Sequence, residues 1–155
     1  MSGITDPEIE KYFYGLLPAR DAVLAEMERQ AEKRNIPIVG PAVGRVFYQY
    51  AQLIGARRIF EMGSAIGYST IWWARGLPAQ AGAGPGATVY YSDGDPKNAE
   101  EARGYFERAG VADRIQVLVG NSLELIQQTE GEFDIIFNDV DKHYYPEVLD
   151  RKSVV

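Results

Sequence analysis

The sequence predicts an α/β fold: a parallel sheet with helices on both faces. Short apolar runs typical of buried strands alternate along the chain with segments whose apolar residues follow helical spacing. Such alternation forms βαβ units, which join parallel strands through right-handed crossovers. Polar residues follow each of the four apolar runs. In parallel α/β sheets this carboxyl edge is where ligands bind, so the strand ends are the candidate site.

Four strands are predicted, at residues 59–62, 88–93, 114–119 and 133–137. Helical spacing and capping residues predict helices at 7–14, 21–34, 41–55, 96–109 and 144–150. Two further helices are predicted without fixed bounds, one after the first glycine turn with Ile71, Trp72 and Trp73, and one after the third strand with Leu123 and Ile126. The prolines of residues 35–41 indicate an extended connector, and residues 78–87 form a glycine-rich loop. We expect one domain over residues 1–155, with N-terminal helices in 1–35 and a ligand-binding βα core in 36–150.

The composition is that of a globular protein, with 46% hydrophobic and 25% charged residues among 155. Since no apolar run approaches the roughly 18 residues of a spanning helix and the N-terminus lacks signal-peptide features, we expect no membrane partner and a cytoplasmic location. The absence of cysteine excludes disulfides and thiolate metal sites. A net charge of −6 argues against nucleic acid as a partner.

The turn after the first strand, residues 63–67, has the spacing G-x-x-x-G and leads into a helix. Backbone N–H groups in such a turn can meet an anionic or polar ligand. The middle glycine of the dinucleotide fingerprint is absent, which disfavours a nicotinamide dehydrogenase. Glu61, at the end of the strand, is expected to be buried beneath this loop.

Carboxylates mark two further strand ends. Asp93 stands where an acceptor for the two vicinal hydroxyls of a ribose would lie. The alternative is a plain turn and helix cap, with Asp95 as the capping residue. For Asp139, Asp141 and Lys142 the alternative to a functional role is a solvated turn containing a local salt bridge.

Three other side chains have weaker functional signals. His143 is the sole histidine and, at a predicted helix start, is expected to be exposed or capping. Trp72 and Trp73 are expected to divide between core packing and a surface between helices.

Four segments, taken together and in this order, resemble the metal-dependent O-methyltransferases of the caffeoyl-CoA and catechol type, including their bacterial small-molecule relatives. The resemblance extends over residues 35–149 and implies a Rossmann-like class I methyltransferase fold. It also implies S-adenosylmethionine as cofactor and methyl transfer to a hydroxyl of a small, catechol-like acceptor. The segments are E-M-G-S-A-I-G-Y-S at 61–69, D-G-D-P at 93–96, residues 110–120 and F-D-I-I-F-N-D-V-D-K at 133–142.

The resemblance implies a role for each candidate cofactor residue. The ribose would bind Asp93 and the adenine would lie near Asn121 and Ser122. The methionine end would contact the first glycine of the loop and the helix behind it, and Glu61 would accept hydrogen bonds from the turn or from the ligand's ammonium. The residues assigned to the methionine end are Gly63, Tyr68, Ser69 and the backbone of Val39 and Gly40.

For catalysis the resemblance implies a divalent cation, Mg²⁺ or Ca²⁺, that binds the acceptor hydroxyls. Asp139 would be a metal ligand that also borders the cofactor, Lys142 the base and Asp141 a residue on the cofactor side. A nearby cation would lower the pKa of the lysine, which makes it a better base.

Relatives continue with further strands and an Asp-Asn pair that completes the metal site, and no such pair follows here. We therefore expect a C-terminally incomplete domain whose fourth strand is an open sheet edge. Another chain could cover that edge, and we expect a homodimer. Two alternatives stay open: a cofactor-binding module without turnover, and a methyltransferase that acts on a hydroxylated RNA nucleoside.

Overall fold

The structure, a computed structural model, describes residues 6–79 and 86–140. Within those ranges it contains six α-helices, four β-strands and one short 3₁₀ turn at Ala112–Arg114. The helices are α1 (Pro7–Gly15), α2 (Ala22–Arg34), α3 (Gly40–Leu53), α4 (Tyr68–Gly76), α5 (Pro96–Arg108) and α6 (Ser122–Gln128). The strands are β1 (Arg58–Met62), β2 (Thr88–Asp93), β3 (Ile115–Val119) and β4 (Ile135–Asn138).

All strand pairs are parallel, and the sheet order is β3-β2-β1-β4. The register sets Glu61 of β1 beside Tyr91 of β2 and Phe137 of β4, and it sets Asp93 beside Val119 of β3. The carboxyl ends of the four strands therefore lie together at one edge of the sheet, as the sequence predicts.

Side chains of successive strand residues enter two different hydrophobic clusters. Because strand side chains point alternately to opposite faces, the two clusters lie on opposite sides of the sheet. One cluster contains Ile59 and Val89 and packs against α2, α3, α4 and α5. The other contains Phe60 and Tyr90 and packs against α6. The prediction of a parallel sheet with helices on both faces is confirmed.

Helix α4 packs closely against α3. Trp73 stacks on Phe47 with the ring centroids 4.3 Å apart and the planes at 7°. A side-chain carbon added at Gly44 would overlap the Trp72 indole ring, so only a glycine lets the two helices approach this closely. Trp72 and Trp73 were expected to divide between core packing and a surface between helices. Both are buried, so both belong to the core.

Most predicted boundaries agree with the structure to within two residues. The expected caps Asp6 and Asp95 accept backbone N–H groups at the starts of α1 and α5. Asp21, expected as the first residue of its helix, is instead the cap of α2. β4 begins two residues late because the Asp134 carboxylate accepts the N–H groups of Arg57 and Arg58, at 2.7 and 2.8 Å. The helix predicted at 144–150 lies outside the described residues.

In the two described ranges, we find no helix with the length and apolar character needed to cross a membrane.

Candidate functional site

A cavity of about 650 Å³ lies at the carboxyl edge of the sheet. Every strand contributes to its wall through the residue or loop that follows it. Five of the residues singled out in the sequence line it: Gly63, Asp93, Asn121, Ser122 and Asp139. The wall is completed by Pro37, Ala65, Gly94, Gly120, Leu123 and Val140.

The loop between β1 and α4 forms one side of the cavity. Gly63 and Gly67 adopt φ angles of +79° and +83°, in the left-handed region that favours glycine. A side-chain carbon at Gly63 would lie 2.8 Å from the carbonyl oxygen of Asp139, so the glycine allows the loop to approach the end of β4. The N–H groups of Gly63 and Ser64 both donate to the carbonyl of Ser92, which joins the loop to β2.

Glu61 lies beneath this loop and is fully buried. Thr70, in the first turn of α4, donates its hydroxyl to Oε2 of Glu61, whereas Oε1 has no hydrogen-bond partner. Burial raises the pKa of the Glu61 carboxyl to about 7, against an opposing effect of the hydroxyls of Ser69, Thr70 and Ser64. Glu61 is thus a buried acid with one oxygen free to accept a hydrogen bond.

Asp93 connects three segments at the end of β2. Its Oδ2 accepts the N–H of Ala65 at 2.9 Å, and its Oδ1 accepts the N–H of Asp95 at 2.9 Å and Nδ2 of Asn98 at 3.1 Å. Asp95 caps α5 by itself. The capping role weighed for Asp93 in the sequence therefore falls to Asp95, while Asp93 holds the glycine loop and faces the cavity.

Asn121 and Ser122 follow β3. Asn121 caps α6 by accepting the N–H of Leu123 at 2.9 Å. The hydroxyl of Ser122 lies 2.9 Å from that of Ser92, which also donates to the backbone carbonyl of Glu61 at 2.6 Å. A chain of hydrogen bonds therefore runs beneath the cavity from α6 to β1.

Asp139 follows β4, and its backbone N–H donates to the carbonyl of Met62 at 2.9 Å. Asp139 is an exposed residue, yet partial desolvation of its carboxyl raises its pKa. In the parts of the chain that the structure describes, no three His, Cys, Asp or Glu side chains cluster as a metal site. The candidates Asp141 and Lys142, and also His143, lie outside the described residues.

Five other candidates do not line the cavity: Val39, Gly40, Glu61, Tyr68 and Ser69. Ser69 is buried in the first turn of α4, and Val39 precedes α3 and packs against the larger hydrophobic cluster. Tyr68 turns away from the cavity, since its hydroxyl donates to Oε1 of Glu28 at 2.7 Å. Burial raises the pKa of the Tyr68 phenol.

The sequence did not single out Tyr91 or Ala65. Tyr91 is fully buried, and its hydroxyl donates to the carbonyl of Ala65 at 2.6 Å. Strand alternation places Tyr91 on the face that carries α4, but no sequence signal shows which backbone atom its hydroxyl reaches.

Comparison with known proteins agrees with this geometry. Residues 18–153 match the family model described as O-methyltransferase, and the chain belongs to that family. Catechol O-methyltransferase of Mycobacterium tuberculosis is 36% identical over 139 residues, which cover 88% of this chain and 60% of the relative. Catechol O-methyltransferase of Niastella koreensis is 34% identical over 145 residues, 90% of this chain and 63% of the relative. The chain thus spans about three fifths of these curated relatives.

Two solved structures show the same architecture. The O-methyltransferase from Bacillus cereus in complex with SAH superposes with a TM-score of 0.78 and 35% identity, over 93% of this chain and 66% of that one. A methyltransferase from Geobacter sulfurreducens superposes with a TM-score of 0.83 and 34% identity, over 96% and 72% of the two chains. The Rossmann-like methyltransferase fold implied by the sequence is therefore confirmed.

Proposed function

We propose that this chain binds S-adenosylmethionine in the cavity and transfers its methyl group to a hydroxyl of a small, catechol-like acceptor. The observation that carries this proposal is the convergence of the glycine loop, Asp93, Asn121, Ser122 and Asp139 on one cavity. Family membership, and the Bacillus cereus relative in complex with SAH, support the same cofactor.

The residues present fit such a cofactor. Gly63 leaves the loop open where any side chain would meet the backbone of Asp139. A carboxylate has about four acceptor positions, and Asp93 uses three, so one is available to a ribose hydroxyl. Asn121 and Ser122 add polar groups for the base, and the unpaired Oε1 of Glu61 favours a cation on the loop above it.

When bound, S-adenosylmethionine supplies a methyl group activated by its sulfonium centre. The protein then has to align the acceptor oxygen, exclude water and remove the hydroxyl proton. By the family resemblance, Lys142 is the proposed base and Asp141 borders the cofactor. Asp139 lines the cavity and precedes Asp141 and Lys142 by two and three residues, which supports placing this pair at the same edge of the sheet.

A divalent cation needs more ligands than the described residues supply. Mg²⁺ and Ca²⁺ take roughly six or more oxygen ligands, and the described part of the chain offers Asp139 without a cluster around it. The described residues therefore do not form a complete metal site. Asp139 is proposed as one ligand, to be tested by chelation.

The assay is transfer of labelled methyl from S-adenosylmethionine to catechol, in the presence of Mg²⁺ and of EDTA. We expect labelled methoxyphenol, and loss of product in EDTA if Asp139 serves a metal. Cofactor binding without transfer would favour the alternative of a binding module, for which the incomplete ligand set among the described residues is the supporting observation. Absence of both binding and transfer would contradict the proposal.

We propose further that the chain forms a homodimer and is cytoplasmic. Large apolar side chains on α1 and α3 are exposed, among them Phe13 at 62% and Leu53 at 83%, and a second copy would cover them. Light scattering coupled to size-exclusion chromatography should give twice the chain mass, and a monomer mass at micromolar concentration would contradict the dimer.

A further inference from the structure

Ala65 has an unusual backbone conformation for its residue type. In the described ranges, Asn35 and Ala65 are the non-glycine residues with positive φ, and the value at Ala65 is +46°. Asn35 ends α2, where asparagine tolerates this conformation. Alanine has no such tolerance, because its Cβ crowds the backbone in the left-handed region. Strain of this kind persists where neighbouring groups impose it.

Two side chains of β2 hold the backbone of Ala65. The N–H of Ala65 donates to Oδ2 of Asp93 at 2.9 Å, and its carbonyl accepts the hydroxyl of Tyr91 at 2.6 Å. Both polar atoms of the strained residue are therefore fixed from the same strand. Since Ala65 itself lines the cavity, its conformation shapes the ligand-facing side of the loop.

Tyr91 is held firmly enough to impose that conformation. Its side chain is fully buried, and its ring meets Phe106 of α5 edge to face, with centroids 5.8 Å apart. Burial raises the pKa of the Tyr91 phenol, with a further contribution from nearby Asp93, Glu61 and Asp95. The hydroxyl therefore keeps its proton and remains a donor to Ala65 across the neutral pH range.

We propose that Tyr91 is a positioning residue for the cofactor: it does not line the cavity, but its hydroxyl locks Ala65 in the left-handed conformation, so that the ligand meets a preformed loop. This inference rests on the proposed function, because it takes an S-adenosyl ligand to be what the loop receives. Preforming the loop removes an ordering cost from binding, so loss of the hydroxyl should appear in affinity.

The test is a cycle of Tyr91→Phe and Ala65→Gly, read by calorimetric titration with SAH. In the wild-type background, Tyr91→Phe should weaken SAH binding by about tenfold, the effect of a lost hydrogen bond together with a relaxed loop. In the Ala65→Gly background the same change should cost about twofold or less, because glycine adopts positive φ without strain. Equal losses in both backgrounds, or no loss in either, would overturn the proposal.

A matched control removes another buried phenol away from the loop. Tyr105 of α5 points its hydroxyl toward Glu101, and Tyr105→Phe should leave the SAH dissociation constant within about twofold of wild type. A similar fall in melting temperature for both Tyr→Phe variants, with weaker binding for Tyr91→Phe alone, separates positioning from general stability. Weaker binding for both variants would contradict the positioning role.

Ala65→Gly alone tests the strain even if Tyr91→Phe does not fold. Glycine normally destabilises a structured position relative to alanine, but here it releases the strain, so the melting temperature should stay level or rise. A clear fall would overturn the proposal. Failure of the wild-type chain to bind SAH would remove the proposed function and this inference together, whereas wild-type binding that Tyr91→Phe leaves unchanged removes this inference alone.

Discussion

Asp93 accepts three hydrogen bonds within the protein, and these join the end of β2 to the glycine loop and to the start of α5. It is at once a turn residue, through Asp95 and Asn98, and a loop residue, through Ala65. One remaining acceptor position is enough for a single ribose hydroxyl. A second contact would require Asn98 to release Oδ1.

Asp93→Asn should weaken SAH binding by about tenfold, because the change removes the charge and one acceptor oxygen from the cavity wall. Asn98→Ala is the matched control: it removes a neighbouring donor, leaves the carboxylate intact and should keep or improve affinity. Calorimetric titration measures both. If Asp93→Asn binds SAH as tightly as wild type, the ribose lies elsewhere.

Glu61 should make stability depend on pH in a defined direction. Its pKa is about 7 in the folded protein against 4.5 as the ordinary value, so the folded state binds the proton more tightly. The contribution of Glu61 to the stability of the folded protein is therefore greatest below about pH 4.5, and it is lost as the pH rises through 7.

Glu61→Gln removes this titration. The difference in unfolding free energy between the variant and wild type should rise by on the order of 3 kcal/mol from pH 4.5 to pH 8, because wild type loses stability over this range and the variant does not. Each unit of pKa difference corresponds to about 1.4 kcal/mol. Urea unfolding at several pH values measures the difference. A difference that does not change with pH would show that Glu61 is ionised normally in the folded protein.

Helices α3 and α4 are locked together at Gly44. A side-chain carbon there would overlap the Trp72 indole, so Gly44→Ala should destabilise the protein by about 1–3 kcal/mol through overpacking. Gly104→Ala in α5 is the control, because nothing lies within 4 Å of its added carbon. That change should be neutral or stabilising by up to about 1 kcal/mol. Thermal unfolding of both variants checks the contrast, and equal effects would contradict the close packing.

The elements were largely predictable from the sequence because their signals are local. Asp6, Asp21 and Asp95 mark helix starts through side chains that cap the adjacent N–H groups, and the structure shows all three caps. The start of β4 was not predictable. It depends on the contact of Asp134 with Arg57 and Arg58, more than seventy residues earlier in the chain.

At the scale of the whole molecule, the sequence predicted which end of the sheet carries the site but not how the strands are ordered. Periodicity identifies strands and faces, whereas the neighbours β4 and β1 are set by packing between distant segments. Because the carboxyl ends of parallel strands lie at the same edge of the sheet, five strand-end candidates line one cavity. Tyr68 does not, because its distant partner Glu28 turns the side chain toward α2.

The central claim is that this edge of the sheet holds an S-adenosyl ligand. It is tested most directly by the melting temperature of the purified chain with SAH and with NADH. At a ligand concentration about a hundred times the dissociation constant, binding adds about 2.7 kcal/mol to the stability of the folded state. We predict a clear rise in melting temperature with SAH and none with NADH. Equal shifts with the two ligands, or no shift with SAH, would contradict the account.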